Sequence, residues 1–238
     1  MDRRIAVIDG DLIPYRVGYV ADKNSLSWSA TKDMVTTFIK KVCAESFATE
    51  YIIFLGGSKN FRNEVATIAK YKAGRATEKC SFYHDIKKQI KEEFNTFYVN
   101  GAEADDAVAV YQTVYGEESI ICSDDKDLLQ IPGNHFNIRT RELKVVTEVE
   151  AHYRIHHQLL TGDSTDNIKG IEGVGPATAK KILDNVEPKD YQLECLKQYV
   201  LKYGDKGVDN CQETFRLIYM MREFKNIDLP KPKTTKWN

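Results

Sequence analysis

The chain has 238 residues, 42 % of them hydrophobic and 29 % charged, with a formal net charge of −1. That balance excludes a disordered polyelectrolyte, and no apolar run approaches the roughly 18 residues of a membrane span, so no membrane partner is expected. A near-neutral chain does not attract nucleic acid as a whole, so any nucleic-acid role requires charge segregated along the sequence.

The N-terminal segment MDRRIAVIDGD meets an aspartate after a short apolar run, too soon and too acidic for a signal peptide, which implies a cytoplasmic protein. Short β-branched and aromatic runs read as strands: IAVID (5–9), YIIFL (51–55), TFYV (96–99), SIICS (119–123) and HFNI (135–138). Helical patterns fall between them at 31–48, 62–70, 81–95 and 104–115. Strands alternating with helices imply βαβ units and a mainly parallel sheet, in which ligands bind beyond the carboxyl ends of the strands. From about residue 148 the pattern becomes wholly helical, with DNIKGIEGVGPATAKKIL (166–183) followed by helices near 190–203 and 209–224. We therefore expect an α/β core over 1–147 and a helical region over 148–238. The Pro- and Lys-rich tail from Leu229 is expected to fray.

Five scattered cysteines without a CxxC pair read as reduced structural thiols. His152, His156 and His157 lack companion zinc ligands and read as a solvated helix face.

Acidic residues collect where the predicted strands end. Asp9 closes the first, GAEADD (101–106) follows the third and SDDKD (123–127) ends the fourth, while GDSTDN (162–167) heads a glycine-rich stretch. Acidic residues in a helix's first turn are favoured by its dipole, so GAEADD alone reads as a helix start. Several such groups on one sheet edge are another matter. Two carboxylates near 4 Å repel by about 4 kcal/mol at an effective dielectric of 20, so a gathered set is either partly protonated or neutralised by hard cations. All-oxygen donors point to Mg²⁺ or Mn²⁺, and two such ions would support phosphodiester hydrolysis without a protein nucleophile. Ser123 and Thr165 then read as strand-end and turn residues, and Asp124 as a surface neighbour. Basic residues collect separately, in 59–91 and in the tail, which permits an acidic site beside a basic track. In GIEGVGPATAKK (170–181), Gly170, Gly173 and Gly175 free the backbone for a tight hairpin. Pro176 suits a helix start, and Lys180 and Lys181 suit contacts to a duplex backbone.

Taken together, VIDGD (7–11), NFR with YKAGR (60–62 and 71–75), GAEADD, SDDKDLLQIP (123–132) and GDSTDNIKGIEGVG (162–175) resemble the 5′-nuclease superfamily of 5′-to-3′ exonucleases and flap endonucleases, most of all its small bacteriophage members. The resemblance implies a PIN-like, mainly parallel α/β sheet flanked by helices, with a short helical arch and a C-terminal helix-three-turn-helix element that grips duplex DNA. It implies a first metal group of Asp9, Glu103, Asp105 and Asp106 and a second of Asp125, Asp127, Asp163 and Asp166. It matches Lys72 and Arg75 to the basic residues at the base of the arch that touch the scissile phosphate and Arg16 to a basic residue just after the first acidic strand, and so implies a catalytic role for all three. It further implies two Mg²⁺ or Mn²⁺ ions and K⁺ at the glycine hairpin. The implied substrates are DNA 5′ ends, nicks and flaps and the RNA of RNA–DNA hybrids, acted on by a monomer in the cytoplasm, the host's if phage-encoded. One departure stands out: after YIIFL, where many members carry a further aspartate, this chain has Gly56 and Gly57. A cleavage-deficient, structure-specific DNA binder is therefore a competing reading. A haloacid dehalogenase-type phosphatase, suggested by VIDGDL and GDSTDN, is a weaker one that leaves GAEADD and the glycine hairpin without a role.

Overall fold

The computed structural model describes residues 3–74, 78–224 and 229–236. The chain divides into two compact units, one formed by 1–59, 77–146 and 221–238 and the other by 60–76 and 147–220.

In the first unit, β1 (Ile5–Asp9) is followed by α1 (Ile13–Lys23) and α2 (Trp28–Glu45), and then by β2 (Glu50–Asn60), whose last residue begins the second unit. After α3 (Arg62–Val65), which belongs to the second unit, come α4 (Tyr83–Glu93), β3 (Thr96–Gly101), α5 (Ala104–Tyr115), β4 (Ser119–Cys122), β5 (Gly133–Phe136) and β6 (Leu143–Val146). The sheet order is β3-β2-β1-β4-β5-β6. Strands β2, β1, β4 and β5 run parallel, and β6 returns antiparallel to β5. Val7 of fully buried β1 aligns with Ile52 on one side and Ile121 on the other. A strand with neighbours on both edges and layers on both faces is apolar at every position, which is why IAVID reads as a continuous run. Ala6 and Ile8 share a core with Val35 and Ile39 of α2, Ile53, Ile86 of α4, Ile120 and Phe136. Chain direction from β1 reverses in strand order between β2 and β4, so the ligand crevice of such a sheet falls at the carboxyl ends of β1 and β4.

In the second unit, α6 (Glu148–Thr161) starts in a capping box: Thr147 Oγ1 accepts from Glu150 N–H and Glu150 Oε2 accepts from Thr147 N–H. It leads into the short antiparallel pair β7 (Gly162–Asp163) and β8 (Ile168–Lys169), then α7 (Pro176–Leu183), α8 (Tyr191–Tyr203) and α9 (Gly207–Ile218). Leu159, Leu160, Ile171, Leu183, Cys195 and Tyr199 form its core.

Several expectations need correction. The region after 148 is not wholly helical, because GDSTDNIK folds into the β7–β8 hairpin. The helix expected over 62–70 stops at Val65, since Glu213 captures the Thr67 and Ile68 N–H groups at 2.8 and 2.7 Å. The tail does not fray. Its strand β9 (Lys233–Thr234) adds antiparallel to the start of β2, Thr235 N–H reaches Thr49 O at 3.0 Å, and Asn95 holds Lys231 O at 3.1 Å. His156 is not solvated: it is 4 % exposed, with Nδ1 2.8 Å from His152 O and its ring against Tyr191. The five cysteines are free and buried. No helix among the described residues is long and apolar enough to cross a membrane.

Candidate active site

Asp9 ends β1 with 4 % of its surface exposed. Its Oδ1 accepts from Asp11 N–H at 3.1 Å, and Ser123 Oγ donates to its Oδ2 at 3.5 Å. The same Ser123 Oγ accepts from Asp125 N–H at 3.0 Å, and Asp125 Oδ1 accepts from Asp127 N–H at 2.8 Å. Ser123 is thus the hinge that ties the carboxyl ends of β1 and β4 together. Burial, then the neighbouring charges of Asp11 and Asp125, push the Asp9 carboxyl up to about 8 against the pull of its hydrogen bonds.

GAEADD resolves into two roles. Glu103 is the N-cap of α5, and Asp106 Oδ2 accepts from Glu103 N–H at 3.1 Å, completing a capping box. Asp106 is fully buried, and its other oxygen accepts from Met221 N–H at 3.1 Å. Asp105 Oδ1 accepts from Asp106 N–H at 2.7 Å. Asp106 therefore serves the helix start and the chain packed on it.

Asp11, present in VIDGD but not singled out by the sequence reading, sits at the same edge. Its Oδ2 accepts from Gly56 N–H at 3.0 Å and its Oδ1 pairs with Lys87 Nζ of α4 at 2.7 Å. A Cβ on Gly56 would lie 2.6 Å from Asp11 Oδ2 and 3.4 Å from Ala104 N, while one on Gly57 would lie 2.6 Å from Val99 O. The two glycines thus have a physical reason. Side-chain space at 56 is taken by the Asp11 carboxylate beside the start of α5, and at 57 by the β3 backbone.

Arg16, in α1, pairs with Asp124, whose side chain is only 4 % exposed and is not a surface neighbour as the sequence suggested. Arg139 approaches the same Asp124 oxygen at 3.9 Å.

In the second unit, Asp163 and Asp166 flank the tight β7–β8 turn and are 3 % and 8 % exposed. Asp163 Oδ1 accepts from Thr165 and Asp166 N–H at 2.7 and 3.3 Å, and Gln158 Nε2 donates to its Oδ2 at 3.2 Å. Tyr71 OH donates to Asp166 Oδ2 at 3.1 Å, and Lys72 Nζ lies 3.8 Å from it. Lys72 holds a left-handed φ of 54°, pinned by its N–H to Asp166 O at 2.7 Å. Arg75 lies outside the described residues.

The three hairpin glycines are not equivalent. Gly173 has φ +84°, whereas Gly170 is required by closeness, since a Cβ there would meet Gly162 N and Thr161 C at 2.3 Å. Gly175 needs neither and simply caps α7. Lys180 is paired with Asp184, and such surface pairs are weak enough for a phosphate to displace.

Among the described residues, no three His, Cys, Asp or Glu side chains converge tightly enough to cage an ion. Several of these carboxylates are instead engaged by backbone N–H groups or by lysine, as Asp9, Asp11, Asp106 and Asp163 are. The donor set nevertheless fits a hard divalent cation: all oxygen, with a buried Asp9 whose charge its surroundings leave under-compensated.

The family model for the 5′-3′ exonuclease N-terminal resolvase-like domain matches residues 4–161. The 5′-3′ exonuclease of Mycoplasmopsis pulmonis is 30 % identical over 212 residues, covering 82 % of this chain and 70 % of that protein. That of Buchnera aphidicola subsp. Schizaphis graminum is 28 % identical, covering 95 % and 87 %. Among solved structures, the bacteriophage T5 5′-exonuclease with bound zinc ions superposes with a TM-score of 0.66 at 21 % identity, covering 91 % of this chain and 86 % of that one. The T5 flap endonuclease in complex with DNA and metal ions gives 0.61 at 16 % identity, covering 91 % and 99 %. With the sheet order, the acidic edge and these matches in hand, the chain belongs to the 5′-3′ exonuclease family.

Proposed function

We propose that this protein is a divalent-metal-dependent nuclease that hydrolyses DNA phosphodiesters from 5′ ends, nicks and flaps, and the RNA strand of RNA–DNA hybrids, acting as a monomer on Mg²⁺ or Mn²⁺. The observation that carries it is the buried Asp9 carboxylate, held between Asp11 and Asp125 at the carboxyl edge of a family-typical sheet. It is supported by the DNA and metal ions bound by the T5 flap endonuclease.

In this reading Asp9, Glu103 and Asp105 serve one ion, with Asp106 positioning them by holding the start of α5, and Asp125, Asp127, Asp163 and Asp166 serve the other. Two ions held there would supply Lewis acidity, lowering the pKa of a bound water and stabilising the leaving oxygen. The chain's own residues do the remaining work. Ser123 orients Asp9 and Asp125, Asp166 steadies Lys72 for contact with the scissile phosphate, and Arg16 and Arg75 add positive charge along the strand. The 170–175 hairpin and Lys180 and Lys181 take the duplex backbone without reading bases, and the hairpin carbonyls would hold K⁺. Family membership sets the phosphatase reading aside.

The test is cleavage of nicked and 5′-flap DNA in Mg²⁺ or Mn²⁺ by the wild type, Asp127→Asn and Asp163→Asn. Cleavage that both substitutions abolish while DNA binding persists supports the assignment. Binding without product in either metal rejects it in favour of a binder.

A further inference from the structure

Arg16, Asp124 and Arg139 form a charge cluster that the reaction as described leaves half-used. Asp124 directly precedes Asp125, and its side chain is 4 % exposed. Both guanidiniums address one oxygen: Arg16 pairs with Oδ2, and Arg139 Nε lies 3.9 Å from it. The other oxygen, Oδ1, is buried and has no protein partner. The pairing is therefore one-sided: both arginines gather at Oδ2 and no fork closes over the whole carboxylate.

The charge count is equally uneven. Two arginines share one carboxylate, leaving a surplus of one positive charge. Burial and the repulsion of Arg139 lower the Arg16 pKa from its ordinary value, so the two cations stand close enough to oppose each other. An anion placed between them relieves that opposition. The Arg16 side chain is 37 % exposed and that of Arg139 66 %, so both reach solvent while the Asp124 side chain, at 4 %, is covered. Planar guanidinium forks match the oxygens of a phosphodiester.

We propose that Arg16 and Arg139, seated side by side on the buried carboxylate of Asp124, form a two-guanidinium subsite for a backbone phosphate of the substrate strand. Arg139 is then a phosphate contact, and Asp124 is a positioning residue for both arginines. The proposal rests on the nuclease reading for the identity of the anion, a nucleic-acid phosphate.

The test is fluorescence-anisotropy binding of a labelled 5′-flap DNA in EDTA across a salt series, with single-turnover cleavage in Mg²⁺ measured alongside. Each phosphate contact contributes about 0.9 to the slope of log affinity against log salt on a duplex and about 0.7 on a single strand. Arg139→Ala lowers the slope by that one contact, and Arg139→Lys restores it without restoring the cleavage rate, because the charge returns and the fork does not. Asp124→Asn keeps the slope but slows single-turnover cleavage by roughly tenfold to a hundredfold through misplacement of the arginines. Its melting temperature is followed as a control, and exposed Arg139 carries the test if that variant fails to fold. An unchanged slope and rate for Arg139→Ala in a wild type that cleaves DNA overturns the subsite and leaves the nuclease reading standing. A slope change in a wild type that cleaves nothing retains the subsite and rejects the nuclease.

Discussion

Replacing Asp9 with Asn should make the metal-free protein more stable while weakening its response to divalent ions. The Asp9 carboxyl is raised from its ordinary 3.8 to about 8. A raised acid is penalised in the fold wherever the unfolded chain is ionised. The penalty is absent below pH 3.8, grows between the two values and is constant above about 8. At pH 7 it amounts to about 4 kcal/mol, from 1.36 kcal/mol per pH unit. Asn lacks the charge but brings an amide N–H₂ with no assured partner, which returns about 1–3 kcal/mol. The net gain is therefore about 1–3 kcal/mol, or about 2–12 °C in melting temperature for a chain of this size. The assay is thermal denaturation in EDTA at pH 7.5, 6 and 5, repeated with Mg²⁺ or Mn²⁺. The stabilisation should shrink toward pH 5, and added metal should raise the wild type more than the variant, which keeps only the second ion's ligands. A variant no more stable than the wild type in EDTA at pH 7.5, or equally stabilised by metal, would show that Asp9 carries no such burial penalty or holds no ion.

Other predictions follow from packing and burial. Gly170→Ala should cost more than about 3 kcal/mol in urea denaturation because backbone must move, whereas Gly175→Ala should cost under about 1 kcal/mol. Burial lowers the pKa of both His135 and His156 from the ordinary 6.5. Both are held neutral, so the stability they contribute is complete above pH 6.5 and is lost as pH falls from there toward their depressed values. Urea midpoints at pH 7.5 and 5.5 should therefore differ less in His135→Gln than in the wild type. Truncation before Leu229 removes the β9 pairing and the Lys231 and Thr235 hydrogen bonds, and should lower the melting temperature by several degrees, at about 1 kcal/mol per bond. An unchanged melting curve would mean that the tail frays after all.

The parts of the fold written in local periodicity were legible. Strand β1 reads correctly because a central parallel strand is apolar throughout, and α5 reads correctly because its acidic first turn precedes a buried run. What was not legible depends on distant partners. Helix α3 ends early because a carboxylate on α9 takes the next N–H groups, and the tail becomes a strand because the start of β2 offers an open edge. Gly56 and Gly57 looked like a missing aspartate; the structure shows them making room for Asp11 and β3. Asp11 was visible in VIDGD, but its partner Lys87 is separated from it by most of α1, α2 and β2 and has no local signature. Asp124 carried no sign of burial, because the arginines that cover it come from α1 and from the loop after β5.

Polarity of digestion decides whether this protein is a 5′-to-3′ nuclease. One blunt duplex is labelled at the 5′ end in one reaction and at the 3′ end of the same strand in another, and both are incubated in Mg²⁺. A 5′-to-3′ nuclease releases the 5′ label at once in short products, while 3′-labelled strands shorten progressively from the far end. Loss of the 3′ label first, or intact duplex, nicked and flap DNA in both Mg²⁺ and Mn²⁺, would contradict this activity.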